Sequence, residues 1–211
     1  MSKMNNVNYR KLTEKIPGYQ IFRNAPIKEA LLDIRVKLDP KIKLEELQSI
    51  QESIKEEYSE RSERYHTRYG FKIGPEPSAE IDKIGIDGLI FKTKTGERIV
   101  QARLDGFTFN KLKPYESWEN LKREASLLWN KYNAKTSPIN IYRIALRYIN
   151  KLEIPLPIGD FKEYIKTSIE LPEGIPQAVS RFFLQLVICD PELEVTATIL
   201  YTIEKPTKEN R

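Results

Sequence analysis

The first patterned segment of the chain alternates between apolar and polar positions. Its apolar positions are Ala30, Leu32, Ile34 and Val36. This period of two predicts a half-buried β-strand. After Asp39-Pro40 the apolar residues recur at the spacing of an amphipathic helix, which we expect from about residue 43 to residue 60.

A meander of short strands and a second helix follow. We expect the strands at 65–73, 88–94, 98–104 and 107–112. The turns Thr95-Gly96 and Asp105-Gly106 separate the last three strands. Asp-Gly between apolar runs is a strong hairpin signal, because glycine accepts a positive φ angle without steric cost. From Trp118 to Tyr132 the apolar residues return at helical spacing, which predicts the second helix.

The remaining elements repeat part of this order. We expect a long strand at 139–154, a short helix near 160–166 with Asp160 as its N-cap, and a hairpin of 181–189 with 193–203. The predicted order is therefore β-α-β-β-β-β-α followed by β-α-β-β. The second run looks like an incomplete copy of the first.

This order predicts an α+β fold in which helices pack on a largely antiparallel sheet. A duplicated β-α-β(n)-α unit, with a saddle as in TATA-binding-protein-like folds, is a further hypothesis that rests on fold analogy and implies no function. We expect a flexible leader at 1–24 and a single domain at 25–204, with pseudo-repeats at 25–134 and 138–204. Residues 205–211 have the composition of a tail, or of a linker to an absent C-terminal segment.

The net charge of +5 changes this picture little. The basic excess lies in the two terminal segments, whereas a duplex-binding surface more often clusters Lys and Arg on one structured face. No apolar run approaches the roughly 20 residues that a membrane-spanning helix needs. The N-terminus has no secretory signal, and the single cysteine, Cys189, suits a reducing compartment. We expect a cytoplasmic protein that does not associate with membranes.

Residues that commonly carry catalysis are sparse. His66 and Cys189 stand alone on different predicted strands, whereas transition-metal sites need clustered ligands. A nucleophilic triad would have to use His66, the only histidine. The glycine-rich loops that bind phosphate are absent. The sequence predicts no enzyme activity, no catalytic residue, no metal and no cofactor.

Several polar residues interrupt strands that otherwise resemble core. They are Asp33, Arg35, Gln101, Arg103, Arg143, Arg147 and Asn150. Because they oppose the apolar set on each strand, we expect them to share the sheet face that points away from the helices. This face could bind an anion or a peptide carboxylate through guanidinium groups. Alternatively, it is a solvated face with salt bridges, such as Arg35 or Arg147 with Asp33.

Four motifs occur in order along the chain. They are NAPIxEAxxDIR from Asn24, PYxxW from Pro114, EAxxLWxxY from Glu124 and RxALRYIN from Arg143. On these motifs residues 24–203 resemble a sporadically distributed, uncharacterised prokaryotic protein family, whose members usually continue through further strand and a C-terminal helix. The resemblance implies no catalytic residues. The patchy distribution of the family implies accessory genes, such as those of phage defence.

Three functions remain open at this point. The first is a non-catalytic interaction or regulatory module that binds a protein partner, such as a toxin, protease or transcription-factor component of a phage-defence-type operon, or that self-associates. The second is single-stranded nucleic-acid binding through the basic tails and strand aromatics such as Tyr65, Phe107 and Phe109. The third is an enzyme with an anion site centred on Arg35, Arg103 and Arg147. The first agrees best with the absence of catalytic motifs.

Overall fold

The computed structural model describes residues 24–72, 78–154, 161–167, 172–175 and 181–203. The predicted leader before residue 24, the predicted N-cap Asp160 and the predicted tail lie outside these ranges. In chain order the described elements are β1 (Ile27–Lys37), α1 (Leu44–Glu52), β2 (Glu60–Lys72), β3 (Ser78–Lys92), β4 (Arg98–Arg103), β5 (Gly106–Leu112), α2 (Trp118–Thr136), β6 (Asn140–Asn150), a 3-10 helix (Phe161–Glu163), β7 (Phe183–Asp190) and β8 (Val195–Thr202).

Six strands form one antiparallel sheet in the order β2-β3-β4-β5-β1-β6. Because side chains alternate between the two faces of a sheet, one face is apolar and the other is polar. Helices α1 and α2 pack on the apolar face, α1 against β3 and α2 against β5. The predicted α+β fold, with helices on an antiparallel sheet, is confirmed. The fully buried core residues include Ala30, Leu47, Phe91, Phe107, Phe109 and Tyr132.

Helix α1 ends at Glu52, earlier than the predicted end near residue 60. Residues 53–57 form turns instead, and the Tyr58 N–H donates to the Ile54 carbonyl at 2.8 Å. Ile54 and Tyr58 are nevertheless buried. The apolar period continued past the helix because these turns keep both side chains against the core.

Helix α2 agrees with its prediction and has a defined start and end. Ser117 is the N-cap, and its hydroxyl accepts a hydrogen bond from the Asn120 N–H at 3.2 Å. The helix stops at Ser137, which adopts a left-handed conformation with φ of 41°. The predicted turns at Gly96 and Gly106 are also confirmed, since they connect β3 to β4 and β4 to β5.

Strand β6 lies at the edge of this sheet and pairs antiparallel with β1, from Ile27 opposite Asn150 to Lys37 opposite Asn140. The chain then divides into two compact units between Glu153 and Ile154. The single domain expected at 25–204, with pseudo-repeats at 25–134 and 138–204, stays a prediction.

The second unit contains the β7–β8 hairpin, which the sequence predicts correctly. Its pairs run from Phe183 opposite Thr202 to Asp190 opposite Val195. The short helix expected near 160–166 is a single 3-10 turn in the part that is described. In neither unit do the described residues include a helix with the length and apolar character needed to cross a bilayer.

Candidate functional site

An ion-pair network lies on the polar face of the six-stranded sheet. Asp33 and Arg35 come from β1, Arg103 from the end of β4, and Thr108 from β5. The strand register sets Asp33 directly opposite Thr108. It also sets Arg103 opposite Gly106, which in turn lies opposite Arg35. Three neighbouring strands therefore bring these side chains together from distant parts of the chain.

Arg103 is the centre of the network and is only 3% exposed. Its guanidinium donates from Nη2 to Asp33 Oδ1 at 2.8 Å, from Nη1 to Thr108 Oγ1 at 2.6 Å, and from Nε to Asp105 Oδ1 at 3.0 Å. The Thr108 hydroxyl also donates to Asp33 Oδ1, at 2.7 Å. A buried charge needs this kind of compensation, because an unpaired guanidinium would lose its hydration without replacement.

Arg35 closes the network into a ring. Its Nε donates to Asp33 Oδ2 at 3.3 Å, and its Nη1 donates to Asp105 Oδ2. Two arginines and two aspartates therefore alternate around a closed circuit, which we call the arginine–aspartate ring (Asp33, Arg103, Asp105, Arg35). Its charges cancel internally.

The electrostatics of Asp33 follow from these contacts. Burial disfavours its charged form, but hydrogen bonds from Arg103 and Thr108 act in the opposite sense. The positive charges of Arg103 and Arg35 add to them, and together these effects hold the pKa of Asp33 below its ordinary value. Asp33 is therefore an ionised acceptor near neutral pH, and its oxygens are occupied by cations of the protein itself.

Two glycines make room for Arg103. Gly88 and Gly106 are its register neighbours on β3 and β5. A Cβ atom at Gly106 would collide with the Ile34 carbonyl oxygen and would lie 2.8 Å from Arg103 Nη2. A Cβ atom at Gly88 would collide with the Ala102 carbonyl oxygen and would lie 3.2 Å from Arg103 Cγ. Only glycine fits at either position without a shift of the backbone.

The ring contains three of the seven predicted site residues, Asp33, Arg35 and Arg103. A fourth, Arg143 on β6, places Nη1 3.6 Å from Asp33 Oδ2. Gln101 lies apart, where it donates to Asn110 and accepts from Arg64, each at 3.3 Å.

Arg147 and Asn150 complete the predicted set and lie further along β6, where alternation places Arg147 on the polar face but Asn150 on the helix-bearing face, unlike the expectation. The register places them opposite Leu31 and Ile27. Among the described residues Arg147 has no ion-pair partner. Of the two salt bridges expected for Asp33, the one with Arg35 is present. The one with Arg147 is absent from the described contacts, and Arg103 and Arg143 are the further cations beside Asp33.

Sequence reasoning missed two members of this network. Asp105 was assigned to a turn, where it does lie, but its side chain reaches back to both Arg35 and Arg103. Thr108 lies between Phe107 and Phe109 in the sequence, and these two phenylalanines make the strand look like a core strand. Alternation along β5 was the available signal for Thr108, because it predicts that Thr108 points away from both phenylalanines.

The ring offers little chemistry of its own. Arg35 and Arg103 are already paired with carboxylates, so they are poorly placed to receive an external anion. No group of three or more His, Cys, Asp and Glu side chains in the described ranges could hold a metal ion. His66 lies 3.7 Å from Asp87, and Cys189 is exposed on β7.

The edge strand β6 is the second unusual feature. Most of its apolar side chains are exposed, although Ile144, Leu146 and Tyr148 lie opposite Ile34, Leu32 and Ala30 of β1, on the helix-bearing face. The exposed residues are Ile141, Tyr142, Ile144, Leu146 and Tyr148. Only Tyr148 makes an aromatic contact in the described part of the chain, an edge-to-face packing against Tyr115 with centroids 5.6 Å apart. We call this strand, with its unpaired side, the β6 edge (residues 140–150).

Comparison of the chain with protein-family models, with curated proteins and with solved structures gives no match. The resemblance carried by the four motifs therefore stays a prediction.

Proposed function

We propose that the chain is a non-catalytic, protein-binding module whose β6 edge pairs with an extended segment of a partner protein. One observation carries the proposal. An eleven-residue strand ends the sheet with exposed apolar side chains, and no described strand pairs with its outer side. A free edge offers backbone N–H and C=O groups to an incoming strand, and neighbouring side chains then select it.

The composition of β6 supports this role. Soluble proteins commonly protect a sheet edge with lysine, proline or inward-pointing charges. β6 contains no lysine and no proline, its two charged residues are Arg143 and Arg147, and its apolar residues are Ile, Leu, Tyr and Ala. An exposed apolar strand of this length is a typical site either of association or of aggregation.

The opposite edge of the same sheet provides an internal comparison. β2 begins with a charged run of alternating sign, Glu60-Arg61-Ser62-Glu63-Arg64. Such charges discourage a foreign strand from pairing there. β2 thus has four charges of both signs within five residues, whereas the two charges of β6 are both positive and lie four residues apart. This difference favours β6 as the binding edge.

The other two functions receive less support. Phe107 and Phe109 are fully buried, so they cannot serve as stacking platforms for bases. Arg35 and Arg103 are neutralised by Asp33 and Asp105, which disfavours an anion-binding active site at those residues. Protein binding through β6 depends neither on these phenylalanines nor on these two arginines.

The partner within an operon is the natural first ligand to test. We would co-express the chain with the products of its neighbouring genes and measure complexes by size-exclusion chromatography with mass determination. The informative variant is Leu146→Lys on β6, and its matched control is Leu127→Lys on α2, because both leucines are exposed. We expect a stoichiometric complex that Leu146→Lys weakens at least about tenfold and Leu127→Lys leaves intact, since interface centres tolerate charge poorly.

Two results would overturn the proposal. One is the absence of a complex with any neighbouring product. The other is a loss of stability in the isolated Leu146→Lys variant as large as that of a core substitution, because the strand would then be covered within the chain itself.

A further inference from the structure

We infer that the segment bound at the β6 edge is an acidic strand, with carboxylates that pair with Arg143 and Arg147 and apolar residues that pack beside Ile144 and Leu146. This inference rests on the proposed function and specifies the partner. It follows from the positive charges of Arg143 and Arg147, which the carboxylates of the arginine–aspartate ring do not neutralise.

Both carboxylates of the ring, Asp33 and Asp105, already accept hydrogen bonds from donors of the ring and from Thr108. Asp33 Oδ1 accepts from Arg103 and Thr108, and Asp33 Oδ2 accepts from Arg35. Arg143 is a third guanidinium beside only two ring carboxylates, at 3.6 Å from one of them, and its side chain is 57% exposed. The ring with Arg143 therefore has one positive charge in excess.

Arg147 extends this excess along the strand. It is exposed and has no ion-pair partner among the described residues. Glu29, the nearest other acid along β1, lies opposite Ile149 and accepts a hydrogen bond from Asn110. Arg143 and Arg147 are the only charged residues of β6.

The spacing of the two arginines defines what a partner strand must carry. Arg143, Ala145 and Arg147 share the polar face, because alternate residues of a strand point the same way. Two residues span about 7 Å, so the guanidinium-bearing positions lie about 13 Å apart along the strand. An antiparallel partner would meet them with acids four positions apart in its own sequence. Opposite charges directly across a strand pair are stabilising, and like charges are destabilising.

The same charges argue against a second copy of this chain as the occupant. If two β6 strands paired about Ala145, each Arg143 would face an Arg147. In any other register the two β6 strands would still contribute four arginines and no acid. Like charges at such short range oppose pairing. The exposed apolar residues on the other face of β6 favour a peptide strand, whose side chains also alternate, over a nucleic-acid backbone.

The test uses the full chain and two labelled synthetic peptides, measured by fluorescence polarisation. Both peptides alternate valine with a charged residue over nine positions, with glutamate in one and lysine in the other. We expect the wild-type chain to bind the glutamate peptide at least about tenfold more tightly than the lysine peptide, because two cross-strand pairs change sign between them. Raising the salt concentration should reduce this preference.

A charge reversal on the protein makes the test specific to β6. The double variant Arg143→Glu with Arg147→Glu should bind the lysine peptide more tightly than the glutamate peptide. The single variant Arg147→Glu should reduce the preference for the glutamate peptide, and it changes a residue that does not contact the ring. Lys122→Glu on the exposed side of α2 is the matched control and should behave as wild type. Circular dichroism and urea titration would show that each variant is folded.

The outcomes separate this inference from the proposed function. Equal binding of both peptides, binding of neither, or tighter binding of a thymidine oligonucleotide used as a third probe would overturn the inference. A dimer of the chain that dissociates on Leu146→Lys would also overturn it. The co-expressed complex would still test β6 as a docking edge in each case, so the proposed function could survive with a partner that is not acidic.

Discussion

Ile34 on β1 lies directly opposite Ile144 on β6, and both point to the helix-bearing face of the sheet, yet Ile34 is 6% exposed and Ile144 is 66% exposed. The two residues share their type, their secondary structure and their face. They differ in exposure, because the buried core, to which both helices contribute, includes Ile34 of β1 but no residue of β6. The edge of the hydrophobic core therefore runs between two paired strands.

This pair provides the first prediction. Ile34→Ala should lower the free energy of unfolding by about 2–5 kcal/mol, since it leaves a cavity in the core. Ile144→Ala should change it by no more than about 0.5 kcal/mol, as is usual for exposed positions. Urea denaturation followed by circular dichroism measures both values. Equal losses for the two variants would mean that β6 is covered in solution.

The second prediction concerns the arginine–aspartate ring. Asp33→Ala should destabilise the fold by about 3 kcal/mol, because it leaves the buried Arg103 with one carboxylate fewer. Glu56→Ala, at an exposed position, is the control and should cost less than about 0.5 kcal/mol. The double variant Asp33→Leu with Arg103→Met should recover part of the loss, because apolar replacement of a buried ion pair is often neutral. A double variant less stable than Asp33→Ala would contradict this account.

The third prediction follows from the lowered pKa of Asp33. In the folded state this carboxyl loses its proton more readily than in the unfolded state, whose ordinary aspartate pKa is about 3.9. The stabilisation is therefore complete above that value and is lost as the pH falls through it and then through the lower folded pKa. We expect the difference in unfolding free energy between wild type and Asp33→Ala to be constant from pH 7 to pH 5 and to shrink below about pH 4. Urea titrations over that range test it, and a difference that grows with acid would refute the assignment.

The fourth prediction separates steric contact from backbone conformation. Gly106 and Gly85 have nearly the same φ angle, 157° and 153°, but a Cβ atom would meet the Ile34 carbonyl and Arg103 at Gly106 and nothing within 4 Å at Gly85. Gly106→Ala should therefore cost about 1–3 kcal/mol more than Gly85→Ala, the usual range for overpacking. Thermal unfolding of the two variants measures the difference. An equal loss of stability in the two variants would mean that the φ angle alone, and not steric contact, accounts for the loss.

Local pattern was sufficient to predict most elements of this protein. The period-two alternation of β1, the glycine turns of the meander, the apolar stripe of α2 and the β7–β8 hairpin all depend on residues close together in sequence. Helix α1 shows the limit of this method, because Ile54 and Tyr58 keep the apolar period in turns that follow the helix. Periodicity reports which side faces the core, and several backbone conformations satisfy it.

The sequence by itself determined that Asp33, Arg35, Arg103 and Arg143 would oppose the apolar side of their strands, because alternation is a property of each strand alone. Only the tertiary structure decided which of them meet. Arg103 pairs with Asp33 through the register of β4, β5 and β1, and Asp105 joins them from a turn. The exposure of β6 was equally beyond the sequence. A strand's pattern fixes the direction of its side chains, whereas its place in the sheet and the reach of the helices decide whether anything covers them.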